Sequence, residues 1–389
     1  MVRLETLART LPAGEFEVHF ASAQTRWPER EIPSAVRHSI RSVPPEHVER
    51  AVRLGTRIYS ARRLSRYVED DLLLLDRVQP DLVVGDLRWS LSVSARLRGV
   101  PYAALINAYW SPHAVRDEFP LPNQLLVRLL EAARLDRSLR AVFPAVLRFF
   151  ARPLNAVRRQ HGLPPLVDLL EVLADGDLTL HPDPPELIRT EGLPSTHRFL
   201  GPVLWQPEVP LPPWWSALGE RPAVYVTLGS SGPVHLLPAL LRSMARLPVD
   251  LIVATAGRKV RLGDLPSNVL VADYLPGDLA VERAAVVVTN GGSSTGYQAL
   301  VQGRPVIGVP WNLDQLLATQ VIDGAAAGSS LRARRSEMAR AADRVAAALA
   351  GAHDVGVRRA QRALRALDSA EQFLAIVRHR LAPAAARIS

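Results

Sequence analysis

Three short loops combine glycine with hydroxyl and amide side chains in a pattern that suits an anionic ligand. Residues 227–232 read TLGSSG, residues 289–296 read TNGGSSTG, and residues 310–315 read PWNLDQ. Small residues let a phosphate approach the backbone, and the N–H groups of a helix N-terminus and Ser or Thr hydroxyls can donate hydrogen bonds to it. The loops therefore predict a phosphate-binding site. For any one loop alone, the alternative is a Gly–Ser turn that only caps a helix.

Several other chemistries are excluded or disfavoured by what the chain lacks. It has no cysteine, which removes disulfides, thiolate metal sites and cysteine nucleophiles. Neither Gly-x-Gly-x-x-Gly nor the Gly-Lys-Ser/Thr of a P-loop occurs, which argues against a dehydrogenase or an ATPase. No Asp-x-Asp metal motif stands at a strand end of the C-terminal half, and the adjacent Asp70 and Asp71 lie in a helical pattern, where they are expected to form a solvated face. We predict that the protein uses no metal and no cofactor.

The loops require a scaffold that brings strand ends together, and the hydrophobic pattern supplies one. Continuous apolar runs alternate with helical periodicity, which is typical of βαβ units around a parallel sheet covered on both faces. Helical patterns cover residues 1–11, 46–78, 90–98 and 121–160. Predicted strands are residues 16–21, 82–86, 102–106, 178–180, 198–200, 224–227, 251–254, 269–272, 286–289 and 306–309. Ligands bind outside the carboxyl ends of such strands, where the three loops lie.

The best candidate for a domain boundary is a proline-rich stretch near the middle of the chain. Residues 204–222 contain prolines at close spacing, which remove backbone donors and exclude helix. We predict an N-terminal acceptor-binding domain over residues 1–203, a semi-rigid linker over 204–222, and a C-terminal donor-binding domain over 223–389. The last helix is expected to pack back on the N-terminal domain.

The chain is basic, and the charge comes almost entirely from arginine. Its 389 residues carry a formal charge of +9, and Lys259 is the only lysine. A GC-rich genome explains this bias, and so does a phosphate-bearing ligand or an anionic membrane surface. We expect no nucleic-acid partner. No apolar run approaches the roughly 20 residues of a membrane span, and no signal peptide is evident. The expected location is therefore cytoplasmic, with peripheral contact at the inner face of the membrane.

The order and spacing of the second and third loops carry a family resemblance. Residues 290–300 (NGGSSTGYQAL), 303–310 (GRPVIGVP) and 314–315 (DQ) together resemble the donor-binding signature of family 1 nucleotide-sugar glycosyltransferases. The resemblance covers residues 224–322 well and the N-terminal half in outline. It implies an α/β fold of the GT-B type, in which two Rossmann-like, doubly wound parallel-sheet domains face each other across a cleft.

The resemblance also implies roles for individual residues in donor binding. The diphosphate is held by Gly291, Gly292 and Thr295. Asp314 and Gln315 bind hydroxyls of the donor sugar, a task that suits a carboxylate next to a carboxamide, because vicinal hydroxyls both donate and accept hydrogen bonds. The other members of the implied donor site are Thr227, Gly229, Ser230 and Ser293 around the phosphates, Tyr274 stacked on the base, Trp311 as a wall of the sugar pocket, and Asp314 and Gln315 on the sugar hydroxyls. The alternative for Tyr274 and Trp311 is ordinary packing.

Two positions depart from the family pattern. Asn290 stands where the family usually has histidine, and Gln298 stands where it usually has a glutamate that binds the ribose hydroxyls. Both replacements keep hydrogen-bonding capacity and remove charge. Because ionised acceptors make stronger hydrogen bonds, Gln298 should hold a ribose less strongly than glutamate does. We expect a changed nucleotide or a weaker donor affinity.

In the N-terminal half, the resemblance implies an acceptor side. Asp86 corresponds to the family aspartate that orients the catalytic histidine, an arrangement suited to proton abstraction from an acceptor hydroxyl; its alternative is a helix cap before Ser90. Trp110 and His113 follow the next strand and are expected to line the acceptor pocket, and His113 is a remote candidate for a substitute base. His19 is expected to be structural.

The family histidine itself has no counterpart here. In the family it lies in a glycine-rich loop between the first strand and the first helix, whereas this chain begins within the helical pattern of that first helix. We expect an upstream in-frame extension that encodes an apolar strand and a glycine-rich segment with histidine. The alternative is that the base has been lost.

Three functions are consistent with the pattern. The leading one is an inverting glycosyltransferase that moves a sugar from a nucleotide-sugar donor to a hydroxyl of a small-molecule or lipid acceptor. The alternatives are a non-catalytic nucleotide-sugar-binding homologue and a nucleotide-sugar epimerase, for which no acid and base groups are evident.

Overall fold

The computed structural model describes residues 2–23, 32, 35–122, 127, 136–205 and 207–382. The chain forms two compact units. The first contains Met1–Asp117, Leu135–Val203 and Leu367–Ser389, and the second contains Glu118–Arg134 and Leu204–Ala366. The C-terminal residues therefore belong to the same unit as most of the N-terminal half.

The strands in both units pair in parallel. Within the described ranges they are, in chain order, β1 (His19–Ser22), β2 (Val36–Ser39), β3 (Val83–Asp86), β4 (Tyr102–Leu105), β5 (Leu178–His181), β6 (His197–Phe199), β7 (Ala223–Thr227), β8 (Asp250–Ala254), β9 (Val269–Ala272), β10 (Ala284–Thr289), β11 (Val306–Gly308) and β12 (Gly328–Ser330).

Helices cover the faces of the sheets and connect their strands. In chain order they are α1 (Val2–Ala8), α2 (Pro45–Leu54), α3 (Ala61–Val78), α4 (Leu91–Arg98), α5 (Asp136–Gln160), α6 (Leu169–Ala174), α7 (Leu237–Met244), α8 (Gly277–Arg283), α9 (Ser293–Val301), α10 (Leu313–Gly324), α11 (Ala341–Leu349), α12 (Asp354–Arg365) and α13 (Ser369–Leu381). No helix in the part of the chain that the structure describes is both long and apolar enough to cross a bilayer.

The first unit is built on a four-stranded sheet in the order β3-β4-β5-β6, beside a separate β1–β2 pair. Leu7 of α1 and Phe373 of α13 share a buried core with Leu105 and Leu180, which lie in the central strands. A second core joins Leu64 and other residues of α3 to α4, α5 and α6. The β3 and β4 strands, with sequences VVGD and YAAL, are almost continuously apolar, as expected where helices cover both faces of a sheet.

The second unit has a six-stranded sheet in the order β12-β11-β10-β7-β8-β9. Counted along the chain, this is the doubly wound order 3-2-1-4-5-6 of Rossmann folds, and its direction reverses between β7 and β10. Fully buried side chains such as Val226, Val288 and Leu240 form the core between the sheet and the helices. The α/β class and the parallel sheets predicted from the sequence are confirmed.

Several local predictions need correction. The helix predicted over residues 46–78 is two helices, because Gly55 adopts a left-handed φ of 66° at the end of α2 and Ser60 begins α3 by accepting a hydrogen bond from Arg63 N. The proline-rich stretch was expected to exclude helix but contains a 3₁₀-helix at Pro213–Ala217, whose first position tolerates proline. The pattern over residues 121–160 is helical in α5; residues 123–126 and 128–135 lie outside the described residues.

Candidate functional site

The edge of the second sheet at the carboxyl ends of its strands carries all three loops. Thr227 and Thr289 end β7 and β10 and are paired neighbours across the two strands. The sheet reverses its winding direction between these strands, which opens a crevice for a ligand in doubly wound folds. The predicted donor residues therefore lie at the switch point of one sheet.

The first loop is held by a hydrogen bond to the side chain of Thr227 and by an arginine that follows β8. Thr227 Oγ1 accepts a hydrogen bond from Gly229 N at 3.3 Å, and Gly229 has a left-handed φ of 57°. Arg258 Nη1 donates to Ser230 O at 2.8 Å and to Gly232 O at 3.1 Å. The carbonyls of the loop thus face a guanidinium, and the side chain of Ser230 is exposed.

Asn290 has a defined amide orientation. Its Oδ1 accepts hydrogen bonds from Gly292 N at 3.0 Å and from Thr289 Oγ1 at 3.2 Å. These two donors fix the oxygen within the second loop, so the amide nitrogen faces the first loop. A Cβ built on Gly229 would lie 3.1 Å from Asn290 Nδ2. A donor is therefore directed into the space between the two loops.

Helix α9 begins immediately after this asparagine. Gly292 is its N-cap, with extended φ and ψ of −69° and 145° and no side-chain cap hydrogen bond. The first N–H groups of a helix have no partners within the helix, and with the helix dipole they favour an anion. Ser293 and Thr295 lie in this first turn, which places their hydroxyls near the same point.

Gly291 is required by close packing against α10. It has a φ of 81°, and a Cβ built on it would lie 2.2 Å from Thr319 Oγ1. That hydroxyl donates to Gln315 O at 2.7 Å and also lies 3.3 Å from Gly291 O. The second and third loops are therefore packed against each other without room for a side chain.

Gln315 is engaged by the protein itself. It is buried, its Oε1 accepts a hydrogen bond from Trp311 N at 3.2 Å, and its Nε2 donates to Ser231 Oγ at 3.2 Å. Trp311 Nε1 donates to Ser231 O at 2.8 Å. Asn312 caps α10 by accepting from Gln315 N at 3.0 Å. Asp314, by contrast, is exposed. The first and third loops are thus linked through Gln315, which the family resemblance implies at the hydroxyls of the donor sugar.

The two residues predicted on the nucleoside side lie near glycines. Tyr274 is 50% exposed, and a Cβ built on Gly257 would lie 2.5 Å from its hydroxyl oxygen. A Cβ built on Gly277, the first residue of α8, would lie 2.8 Å from both Oε1 and Nε2 of Gln298. Tyr274 is therefore half-exposed, and the Gln298 amide lies against the backbone of Gly277.

In the first unit, Asp86 forms a bidentate ion pair. Arg3 donates from Nη2 to Oδ1 at 2.5 Å and from Nε to Oδ2 at 3.1 Å, while its Nη1 donates to Asn107 Oδ1 at 2.7 Å. Asn107 Nδ2 donates in turn to the buried Asp183, which also accepts from Ala108 N at 2.6 Å. Burial alone would raise the pKa of Asp86, but the nearby positive charges, of which Arg3 is the largest source, together lower the pKa below its ordinary value.

The other predicted acceptor residues lie in or beside a cluster of histidines. Trp110 is buried, and the ring of His113 meets that of His197 edge-on at 5.2 Å. His181 Nδ1 must donate to Ile106 O at 2.8 Å, since a carbonyl can only accept. Neutral His181 therefore accepts at Nε2 from His197 Nδ1 at 3.0 Å. Burial lowers the pKa of both His181 and His197, the latter to about 4.

The structure thus brings the predicted donor residues together at one edge of the second unit, and it places Asp86, Trp110 and His113 in the first. Sequence reasoning missed Arg3, Arg258 and Asp183. The rule that strand ends carry ligand residues could have identified Arg258, which follows β8 by four residues. No sequence pattern near Arg3 indicated its role, since its partner Asp86 lies 83 residues away. The ring of His19 stacks on that of His38 at 5.1 Å. Within the described residues, no group of three His, Asp or Glu side chains is arranged to hold a metal ion.

Comparison with protein families and curated sequences gives relatives along most of the chain. Residues 238–372 match the C-terminal domain family described as Erythromycin biosynthesis protein CIII-like. A PGL/p-HBAD biosynthesis rhamnosyltransferase of Mycobacterium bovis is 48% identical over 348 residues, which are 89% of this chain and 77% of the relative. A PGL/p-HBAD biosynthesis glycosyltransferase of Mycobacterium tuberculosis is 46% identical over 355 residues, 90% and 82% of the two chains. An inactive PGL/p-HBAD biosynthesis glycosyltransferase of Mycobacterium bovis is 44% identical over 253 residues, 64% and 69%.

Solved structures share the fold at lower sequence identity. The spinosyn forosaminyltransferase SpnP superposes with a TM-score of 0.68 at 21% identity, covering 97% of this chain and 94% of that one. The spinosyn rhamnosyltransferase SpnG complexed with thymidine diphosphate gives a TM-score of 0.67 at 19% identity, covering 97% and 95%. At this identity the likeness establishes the architecture of the chain.

Proposed function

This chain belongs to the family 1 nucleotide-sugar glycosyltransferases of GT-B fold, and from that membership we propose that it transfers a rhamnosyl or related deoxysugar to a hydroxyl of an acceptor in PGL or p-HBAD biosynthesis. Glycosyl transfer itself follows from the family. The observation that carries the choice of sugar and acceptor is the 48% identity to a rhamnosyltransferase of that pathway over 89% of the chain.

We propose that the donor diphosphate binds between the first and second loops. Asn290 Nδ2 faces this space, and α9 begins beside it at Gly292, an N-cap residue without a side chain. The carboxamide cannot supply the positive charge of a protonated histidine, so binding depends on the helix N-terminus and neutral donors. Arg258 contributes a guanidinium to the same loop, where it holds two carbonyls.

On the sugar, Asp314 and Gln315 have different tasks in this proposal. Asp314 is exposed and accepts hydrogen bonds from sugar hydroxyls. Gln315 keeps Trp311 and Ser231 in place, since its amide already bonds both. It can bind the sugar directly only by releasing Ser231 Oγ.

The transfer step is an in-line displacement with inversion. The acceptor oxygen forms a bond to the anomeric carbon while the bond to the diphosphate oxygen breaks, and the nucleoside diphosphate leaves with the electron pair. The acceptor proton passes to a base. Because the pKa of Asp86 is lowered by Arg3, this carboxylate is a poor base at neutral pH. Its proposed role is to orient the base electrostatically, as the family resemblance implies.

A second candidate, a binding protein without turnover, is favoured by two observations. Both carboxylate oxygens of Asp86 are occupied by Arg3, so the group that should orient a base already has a partner. One relative at 44% identity carries the description inactive.

Transfer assays separate the two candidates. Radiolabelled dTDP-, UDP- and GDP-rhamnose are offered with acceptors of PGL and p-HBAD biosynthesis, and calorimetry measures binding of the free nucleoside diphosphates. The proposal expects labelled acceptor of inverted anomeric configuration and release of the nucleoside diphosphate. Nucleotide binding without transfer from any donor would establish the binding protein instead, and absence of both would refute both candidates.

A further inference from the structure

The positive charge of the chain is concentrated in two stretches. Residues 50–68 and 137–167 together contain twelve arginines and no aspartate or glutamate. Of 47 basic and 38 acidic side chains in total, these twelve leave 35 basic against 38 acidic in the rest of the chain. A genome-wide arginine bias would raise the count everywhere, so it does not account for two acid-free stretches that hold the whole net charge.

Both stretches belong to the first unit, and residues 137–167 contain most of helix α5. One face of α5 is buried through Phe143, Leu147, Ala151 and Leu154, which pack in the core of the unit. A helix with one apolar face for the core should be polar on the other side. The opposite side of α5 departs from this expectation.

A second apolar stripe runs along the solvent side of α5. Val142 is 52% exposed and Phe149 is 40% exposed, Ala145 is exposed, and Val146 is partly buried. Their spacing of i, i+3, i+4 and i+7 places all four on one side of the helix. This stripe has an apolar surface that the first unit does not use for its own core.

Arginines border the stripe on the same surface. Arg148 and Arg152 are exposed and lie beside it on the helix. The guanidinium carbon of Arg57, from the loop between α2 and α3, lies 4.5 Å from the centre of the Phe149 ring, and that of Arg152 lies 5.7 Å away. Leu54, three residues before Arg57, is 62% exposed.

We propose that this surface, the arginine–phenylalanine patch of Leu54, Arg57, Val142, Arg148, Phe149 and Arg152, docks the protein on an anionic lipid bilayer. A helix with exposed apolar side chains beside arginines lies in the interface of a membrane, where the apolar groups enter the acyl boundary and the guanidiniums bind lipid phosphates. Anionic headgroups complement a patch that contains no acidic residue.

Lipid fits the patch better than nucleic acid does. Phosphates of a nucleic acid would satisfy Arg148 and Arg152, and a base could stack on Phe149. Exposed aliphatic side chains such as Leu54 and Val142 would gain little from a polyanion, whereas a bilayer buries them. The docking surface is inferred independently of the proposed function. Only its benefit to the reaction, which is to bring the enzyme to a lipid acceptor, rests on that function.

Vesicle sedimentation of the whole chain, without sugar donor, tests the proposal. Vesicles of phosphatidylcholine mixed with phosphatidylglycerol should pellet the protein, pure phosphatidylcholine should pellet much less, and raised salt should weaken the binding. The variant Arg148→Gln/Arg152→Gln should lower the partition coefficient roughly 30-fold, about fivefold for each arginine at about 1 kcal/mol. The variant Val142→Ser/Phe149→Ser should also bind less.

Matched controls lie on the second unit. Arg358→Gln/Arg359→Gln removes two exposed arginines of α12, and Val355→Ser removes a side chain that is 77% exposed; both should bind vesicles as the unaltered chain does. All variants should keep the far-UV circular dichroism spectrum and the urea unfolding midpoints of the unaltered chain, which shows that the first unit is folded. Normal binding of thymidine diphosphate by the second unit keeps this test separate from the transfer assay. Equal binding to neutral and anionic vesicles, or equal loss in the controls, would overturn the proposal. Displacement by RNA with no effect of Val142→Ser/Phe149→Ser would point to nucleic acid instead.

Discussion

The amide of Gln298 rests on the backbone of Gly277 at the start of α8, at the position where the family usually binds a ribose through glutamate. A carboxylate can accept hydrogen bonds from both hydroxyls of a ribose, whereas a 2′-deoxyribose offers only the 3′-hydroxyl. A neutral amide is therefore sufficient for a deoxynucleotide donor.

This residue leads to a prediction about nucleotide choice. Gln298→Glu should raise the affinity for UDP relative to thymidine diphosphate by about tenfold, the value of one charge-assisted hydrogen bond of roughly 1.5 kcal/mol. Calorimetric titration of both nucleotides measures the ratio. Gln320→Glu, an exposed substitution on α10, adds the same charge elsewhere and serves as the control. An unchanged ratio of the two affinities would show that residue 298 does not contact the ribose.

The buried histidines of the first unit make its stability depend on pH. Burial lowers the pKa of His197 to about 4 and also lowers that of His181, whereas both titrate near 6.5 when unfolded. Between these values the unfolded state binds more protons. The stability that these histidines contribute is therefore complete above about pH 6.5 and decreases as the pH falls. For the partly buried His197, the loss continues toward pH 4 at less than about 1.4 kcal/mol per pH unit.

Urea unfolding at pH 5 and pH 7 measures this loss. His197→Gln should reduce the difference in unfolding free energy between the two pH values, because one group with a lowered pKa is removed. His161→Gln, at an exposed position after α5, should leave the difference unchanged. If both variants behave alike, the acid sensitivity has another source.

At the scale of elements, the contact between the second loop and α10 sets how α9 begins. Gly291→Ala would place a methyl group on a residue with φ of 81° and 2.2 Å from Thr319 Oγ1. A left-handed backbone alone costs about 1 kcal/mol or more. The clash must also move α10 or the start of α9, so we expect lost stability together with weaker binding of thymidine diphosphate.

Gly263→Ala is the matched control for this variant. Gly263 has a similar φ of 72°, belongs to the same unit, and has nothing within 4 Å of a built Cβ. It should show the backbone cost without weaker nucleotide binding. Equal nucleotide affinity in the two variants would mean that the Gly291–Thr319 contact does not support the site.

The elements that the sequence predicted well are those with continuous apolar runs. The β8, β9 and β10 strands lie within two residues of their predicted bounds, since burial on both faces requires apolar residues throughout. The β2 and β12 strands were missed because their residues, VRHS and GSS, carry no such run. Long-range pairs were also out of reach: Arg3 with Asp86 and Gln315 with Ser231 are joined across more than 80 residues.

At the scale of the whole molecule, α13 returns to the first unit after the second is complete. Phe373 is buried with Leu7, Leu105 and Leu180 in the core of the first sheet. Phe373→Ala should cost about 3–5 kcal/mol, as for other large-to-small changes in cores. Nucleotide affinity should stay unchanged, because the donor residues belong to the second unit.

Denaturant unfolding with and without thymidine diphosphate separates the two units. The ligand stabilises only the unit that binds it, so the transition it does not shift should be the one that Phe373→Ala moves to lower denaturant. Val355→Ala, at a position that is 77% exposed on α12, should move neither. A loss of nucleotide binding in Phe373→Ala would contradict the independence of the two units.

The return of α13 also orders events on the ribosome. Residues from Leu367 onward are needed for the core around Phe373, yet they are synthesised after all of the second unit. The apolar surface of the N-terminal half that Phe373 later covers therefore stays exposed while more than 160 further residues, Leu204–Ala366, are synthesised and begin to fold. The unit whose synthesis starts first is the one that finishes folding last, and that interval is when this protein is most exposed to chaperones, proteases and aggregation.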